Sequence, residues 1–100
     1  MSKKKKSVVD EILKERGKRY GNFRNQAAVS QEIKRVVFSH LHSTPLEVDF
    51  TVWCMTRESL DMICTKIARI LNGDMEYADN WLDIAGYAQL VADHLQGKDR

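Results

Sequence analysis

Apolar residues recur at helical spacing along most of the chain, and that pattern predicts four helices. Val8, Val9, Ile12 and Leu13 open a short first helix, with Ser7 as its N-cap and Glu11 in its first turn. Its expected stop is Arg16-Gly17, because glycine suits the residue just past a helix end. A second helix is expected over about residues 25–41. It gathers Ala28, Ile33, Val36, Val37 and Leu41 on one side and turns Gln31, Glu32, Lys34 and Arg35 to solvent. Over residues 43–55 the periodicity breaks. Pro45 disfavours helix just before it, and residues 49–53 read as a loop or short extended piece. Phe50, Val52 and Trp53 are expected there to cover a core edge or a partner subunit.

The third and fourth helices organise the rest. Thr56 reads as the N-cap of the third and Gly73 as the residue after its end. Leu60, Ile63, Cys64, Ile67, Ile70 and Leu71 fall on one face, and Glu58, Asp61, Thr65, Lys66 and Arg69 on the other. On the fourth, Trp81, Ile84, Ala85, Ala88, Val91, Ala92 and Leu95 form an apolar stripe sufficient for a core contact. Gly86, Tyr87 and Leu90 nevertheless share the opposite side with Asp79, Asp83 and His94. A helix apolar on most of its circumference is expected to be covered on two sides, in a bundle or an oligomer interface. Asp83 then lies between Tyr87 and Leu90, where a carboxylate needs a hydrogen bond, a counter-charge or a cation. Asp79 reads equally as an N-cap.

Composition narrows the class. One hundred residues with a single proline are expected to form one all-α domain, a small four-helix bundle over residues 7–97 with a long loop between helices 2 and 3. A core of this size is marginal alone, so a homo-oligomer is expected. The basic tail, residues 1–6, reads as a solvated terminus. A net charge of +2 gives little support for nucleic-acid binding. No stretch is long and apolar enough to span a membrane. Cys54 and Cys64 have neither disulfide-framework nor metal-ligand spacing, and Cys64 reads as a reduced core thiol. A cytoplasmic location is the expectation.

Two groups of residues are candidates for chemistry. Arg16, Lys18, Arg19 and Arg24 surround Tyr20 and Phe23, a basic aromatic segment suited to a phosphate and a stacked base, or equally to plugging a bundle end. Glu58 and Asp61, one helical turn apart, read either as a solvated face or as metal ligands in a cleft rimmed by Lys66 and Arg69. His40 and His42 point apart on a helix and make a poor metal pair.

The ordered set Arg16-Gly-x-x-Tyr20-Gly21-x-Phe23, Asp61-Met-x-x-x-Lys66-x-Ala-Arg69-Ile, Gly73 and Asp79-x-Trp81-x-Asp83-Ile-Ala-Gly-Tyr87-Ala resembles a small helical family encoded by phages and prophages. More distantly it is similar to phage nucleotide-modification-associated domains, and through them to the MazG-type nucleoside triphosphate pyrophosphohydrolases. The resemblance spans about residues 11–95. It implies a helical, oligomeric, Mg²⁺-dependent enzyme that cleaves a nucleotide to its monophosphate and pyrophosphate. Glu58, Asp61, Asp79 and Asp83 match the metal-binding carboxylates, with Glu58, Asp61 and Asp83 the catalytic candidates. Lys66 and Arg69 match the basic pair and Tyr20 the tyrosine of the loop; with Arg16, Arg19 and Tyr87 they make up the candidate nucleotide and phosphate contacts. Arg57 and Met62 stand where the enzymes carry adjacent glutamates. If too few carboxylates converge, the implied activity is sequestration of a nucleotide or signalling nucleotide without cleavage. A helical protein-interaction module remains open as well.

Overall fold

The computed structural model describes residues 7–41 and 48–100. Its helices are α1 (Val8–Tyr20), α2 (Phe23–Leu41), α3 (Phe50–Asn72) and α4 (Ala78–Leu95), with no strand among the described residues. The protein is therefore all-α, as its periodicity predicts. None of these helices is long and apolar enough to cross a membrane.

Three boundaries differ from the sequence reading. Ser7 does cap α1, its Oγ accepting from Asp10 N at 3.0 Å. The helix then runs through Gly17 and stops at Gly21, whose φ of 78° needs glycine and whose N–H donates to Gly17 O at 2.9 Å. The Tyr20-Gly21 segment is thus a helix end instead of a loop. α3 begins at Phe50 behind Asp49, well before Thr56. Thr51 and Val52 are weak helix formers, but side chains one turn apart hold this start together. Phe50 and Trp53 stack nearly parallel at 6.2 Å, and the Arg57 guanidinium lies 5.8 Å from the Trp53 ring and 4.3 Å from that of Phe38. Pro45 and His42 lie outside the described residues. Asp79 is in the first turn of α4, while Tyr77 occupies the N-cap position.

α3 is the central helix. α2 packs on one side and α4 on the opposite side, α4 touches no other helix, and α1 reaches α2 and α3. Two ion pairs set the register of this layer: Lys34 Nζ to Asp61 Oδ1 and Lys66 Nζ to Asp83 Oδ2, each 2.8 Å. At about 100° per residue, Asp61, Cys64 and Ala68 turn towards α2, and Ser59, Lys66 and Ile70 towards α4. All of these except Asp61 are buried. Lys34 is therefore enclosed by its partner and does not face solvent as its position in α2 predicts.

The same register locates the apolar stripes. Both ion pairs lie on one side of the α2–α3–α4 layer. Leu60, Ile67 and Leu71 of α3 and Trp81, Ala85, Ala88 and Leu95 of α4 lie on the other. The two stripes do not pack into each other; they sit side by side. Leu71, Trp81, Ala85, Ala88 and Leu95 remain exposed, so only the Ile84 and Val91 part of the α4 stripe makes the core contact expected of it. What α4 turns towards α3 is Asn80, Ile84, Tyr87, Val91 and His94, of which Asn80 is buried and the rest half-buried.

Candidate functional site

The charged side of the layer ends in a cluster of arginines and tyrosines built from three segments. The last turn of α1 supplies Arg16, Arg19 and Tyr20, the last turn of α3 supplies Arg69, and the N-cap of α4 supplies Tyr77. Backbone interdigitation holds them together. Asn72 Nδ2 donates to both Tyr20 O and Asn22 O at 2.9 Å, and Asp74 N donates to Arg19 O at 2.7 Å. A Cβ on Gly73 would overlap Arg19 O and Tyr20 Cα, and one on Gly21 would overlap Asn72 O. Gly73 thus ends α3 as its position predicts, and the need for glycine is the close approach of another chain segment, its φ being −132°.

The seated rings and cations follow from that lock. Tyr20 and Tyr77 meet edge to face at 6.2 Å. The Arg69 guanidinium lies 4.5 Å and that of Arg16 5.4 Å from the Tyr20 ring centre, and Arg19 lies 4.2 Å from that of Tyr77. Stacking on a ring face orients a guanidinium while leaving its edge N–H groups free for an anion. Arg19 also pairs with Glu15 at 2.9 Å, whereas neither Arg16 nor Arg69 has an ion-pair partner among the described residues. Arg69 Nε is buried without an acceptor. Beside the cluster, Arg16, Tyr20 and Phe23 line a cleft of ≈ 330 Å³ between α1 and α2. Tyr77 donates its hydroxyl to Asp79 Oδ2 at 2.8 Å. That bond, followed by desolvation, raises the phenol above its ordinary pKa and keeps the ring neutral.

The carboxylates are arranged differently. Glu58, Asp61 and Asp83 share the charged side with Lys66 and Arg69, but strung out along it. Asp61 is held by Lys34, Asp83 by Lys66, and Asp79 by Tyr77, while Glu58 is exposed. No group of three or more His, Cys, Asp or Glu side chains among the described residues could hold a metal ion. Within one chain the four carboxylates do not fit a shared Mg²⁺ site. Asp83 is also not the enclosed carboxylate that its apolar neighbours predict. Its side chain is half-exposed, and Lys66 is the buried partner of the pair. Lys66 is consequently committed to Asp83 instead of standing free beside Arg69.

Tyr87 and Asp83 line a larger groove of ≈ 520 Å³ on α4, together with Leu82, Leu90, Asp93 and Arg100. Asp93 is buried there, accepting from Gln89 Nε2 at 2.7 Å and pairing with Arg100 Nε at 2.7 Å. Two carboxylates in its wall make this groove less favourable for a phosphate than the smaller cleft, whose one charged lining residue is Arg16. Tyr87 is therefore separated from the Arg16–Tyr20–Arg69 group with which the sequence classed it.

Tyr77 and Asn72 were not among the sequence candidates. Tyr77 carries a weak signal, an aromatic just ahead of the fourth helix; Asn72 reads only as the last residue before Gly73. Cys64 is buried and Cys54 exposed, both as free thiols. Burial raises the Cys64 pKa, against a smaller lowering by Lys34. No curated protein and no solved structure matches the chain. Residues 6–95 match the family described as Domain of unknown function (DUF6378), and the chain belongs to that family.

Proposed function

We propose that this protein binds a nucleotide, as a homo-oligomer, without cleaving it. The observation that carries the reading is the convergence of Arg16 and Arg69 on the Tyr20 ring, with no acidic partner for either cation among the described residues. Oriented guanidiniums with free N–H edges favour a phosphate group, which accepts paired hydrogen bonds from a planar donor. The adjoining cleft offers exposed Phe23 and half-buried Tyr20 as surfaces for a base. The Asn72, Gly21 and Gly73 contacts fix these groups before any ligand arrives, which reduces the ordering cost of binding.

The distribution of carboxylates favours binding over hydrolysis. Metal-assisted phosphoryl transfer needs acidic ligands gathered around Mg²⁺ at the phosphate chain, and here three of the four candidates are held by Lys34, Lys66 and Tyr77.

Equilibrium titration of variants tests the reading. Arg69→Ala and Arg16→Ala are expected to weaken nucleoside triphosphate binding about tenfold to a hundredfold each, the loss of one charge-assisted contact. Glu58→Gln is expected to leave it unchanged. Unaltered affinity in both arginine variants would remove the cluster as the site.

A further inference from the structure

Among the described residues, no helix covers the side of the layer facing away from the ion pairs. We infer that it is the surface through which two copies of this protein associate, face to face, with α3 and α4 of one against α3 and α4 of the other. The inference rests on the homo-oligomer part of the functional reading and is independent of its nucleotide part.

The residues concerned are Leu60, Ile67 and Leu71 of α3 and Trp81, Ala88 and Leu95 of α4. Leu71 is 57 % exposed, Trp81 54 % and Leu95 63 %, large values for side chains of this size. α4 contacts only α3, so no other helix of the same chain covers this strip. α1 does not do so either, because its attachment through Tyr20 to Arg69 is on the opposite, charged side.

Three properties point to a second copy as the occupant. Neither strip contains Asp, Glu, Lys or Arg, so pairing the face with itself brings no like charges together. Small Ala85 and Ala88 beside large Trp81 and Leu95 give the ridges and grooves that helix packing requires. The area also suffices. Two neighbouring helices at the usual 8–10 Å spacing, each about 27 Å or more in length, present on the order of 500 Å² per copy. Doubling that gives on the order of 1,000 Å² in total, the area at which a specific interface begins. In such a dimer the two Arg16–Tyr20–Arg69 clusters face outward, and each is complete within its own chain.

Light scattering of the purified full chain across a dilution series, without nucleotide, tests the inference. The wild type is expected at twice the chain mass at micromolar concentration, falling towards one chain mass on dilution. Ala88→Glu and Leu71→Glu each place a charge on the face at a position already exposed in the single chain. Each is expected at one chain mass with unchanged helical circular dichroism. A wild type at one chain mass throughout, or twice the mass persisting in both variants, would overturn the inference. So would a wild-type complex containing a different protein. The readout contains no nucleotide, so its failure would leave the arginine cluster untouched, and a failed nucleotide titration would leave the mass result standing.

Discussion

The two faces of the α2–α3–α4 layer are made by the same helices and have almost nothing in common. One carries Lys34–Asp61, Lys66–Asp83 and, at its end, Arg16 and Arg69 on Tyr20. The other carries Leu60, Ile67, Leu71, Trp81, Ala88 and Leu95 with no charged residue among them. Under the two proposals, opposite sides of a helix that contributes to both, such as α3, meet different partners, an anion on one and the apolar surface of a second copy on the other. Part of the exposed apolar surface, Leu71, Trp81 and Leu95, is thus gathered on a face without charged residues, while Val8, Val9, Ile12 and Leu13 of α1 and Leu82 and Leu90 of α4 are exposed elsewhere.

The largest expected effect comes from unlocking the charged face. Gly73→Ala sets a methyl against the Arg19 and Tyr20 backbone, so the end of α1 must move. A loss of about 3 kcal/mol or more in chemical denaturation is expected, in the range of severe backbone and overpacking lesions. Gly17→Ala is the control. A Cβ at Gly17 meets nothing, and a gain of about 0.5–1 kcal/mol is expected from helix propensity.

A second pair of variants separates the faces by function. Arg69→Ala is expected to reduce nucleotide affinity at least about tenfold, the loss of one charge-assisted hydrogen bond, while leaving the molecular mass unchanged. Leu71→Glu, two residues along the same helix, is expected to halve the mass and leave affinity within about twofold, because sites that share no partner behave independently. Coupling of both properties in both variants would break the division into two faces.

The Lys66–Asp83 pair belongs to the charged face alone. Asp83→Asn leaves a buried lysine without its counter-charge and is expected to cost about 1–2 kcal/mol, less than for a fully buried pair because Asp83 is half-exposed. Lys66→Met removes the buried charge itself, and replacing it with an apolar chain of similar length is expected to change stability by less than about 1 kcal/mol. If Lys66→Met instead abolishes nucleotide binding at unchanged stability, the lysine belongs to the ligand site.

The smallest effect is at the thiols. Cys54 is exposed and is expected to react readily with a maleimide at neutral pH, while buried Cys64 reacts only on unfolding. The raised Cys64 pKa has a definite sign. On raising the pH, the unfolded chain loses this proton before the folded one, so stability from this group is intact below the ordinary thiol pKa and lost above it. Cys64→Ala is expected to flatten the alkaline limb of the stability–pH curve.

Much of this arrangement is legible in the sequence. The helical periods, the Ser7 cap and the unusually broad apolar surface of α4 all follow from residue order. The amphipathicity of α3 is equally clear. What periodicity does not encode is the direction in which each stripe turns relative to its neighbours. Two apolar stripes on consecutive helices read as one core contact, but in the register of the Lys66–Asp83 pair only Ile70 of one and Ile84 and Val91 of the other turn towards the opposing helix, and Leu71, Trp81 and Leu95 are left on an outer face. The arginine–tyrosine cluster shows a similar limit. Arg16, Arg19, Tyr20 and Arg69 stand out by type. Their convergence depends on Asn72 and Gly73 receiving the α1 end across about fifty residues of sequence, and no local pattern carries that contact. The carboxylates were legible as types, not as pairs, since Lys34 is distant from Asp61 in sequence and its solvent-facing position in α2 conceals the partnership.

Nucleotide binding without cleavage is testable by calorimetric titration of the wild-type protein with a panel of nucleotides, each with and without Mg²⁺, assaying the same samples for pyrophosphate. The expected result is binding of at least one nucleotide in the absence of metal and no pyrophosphate release. Absence of binding across the panel would contradict the claim, and so would Mg²⁺-dependent release of pyrophosphate.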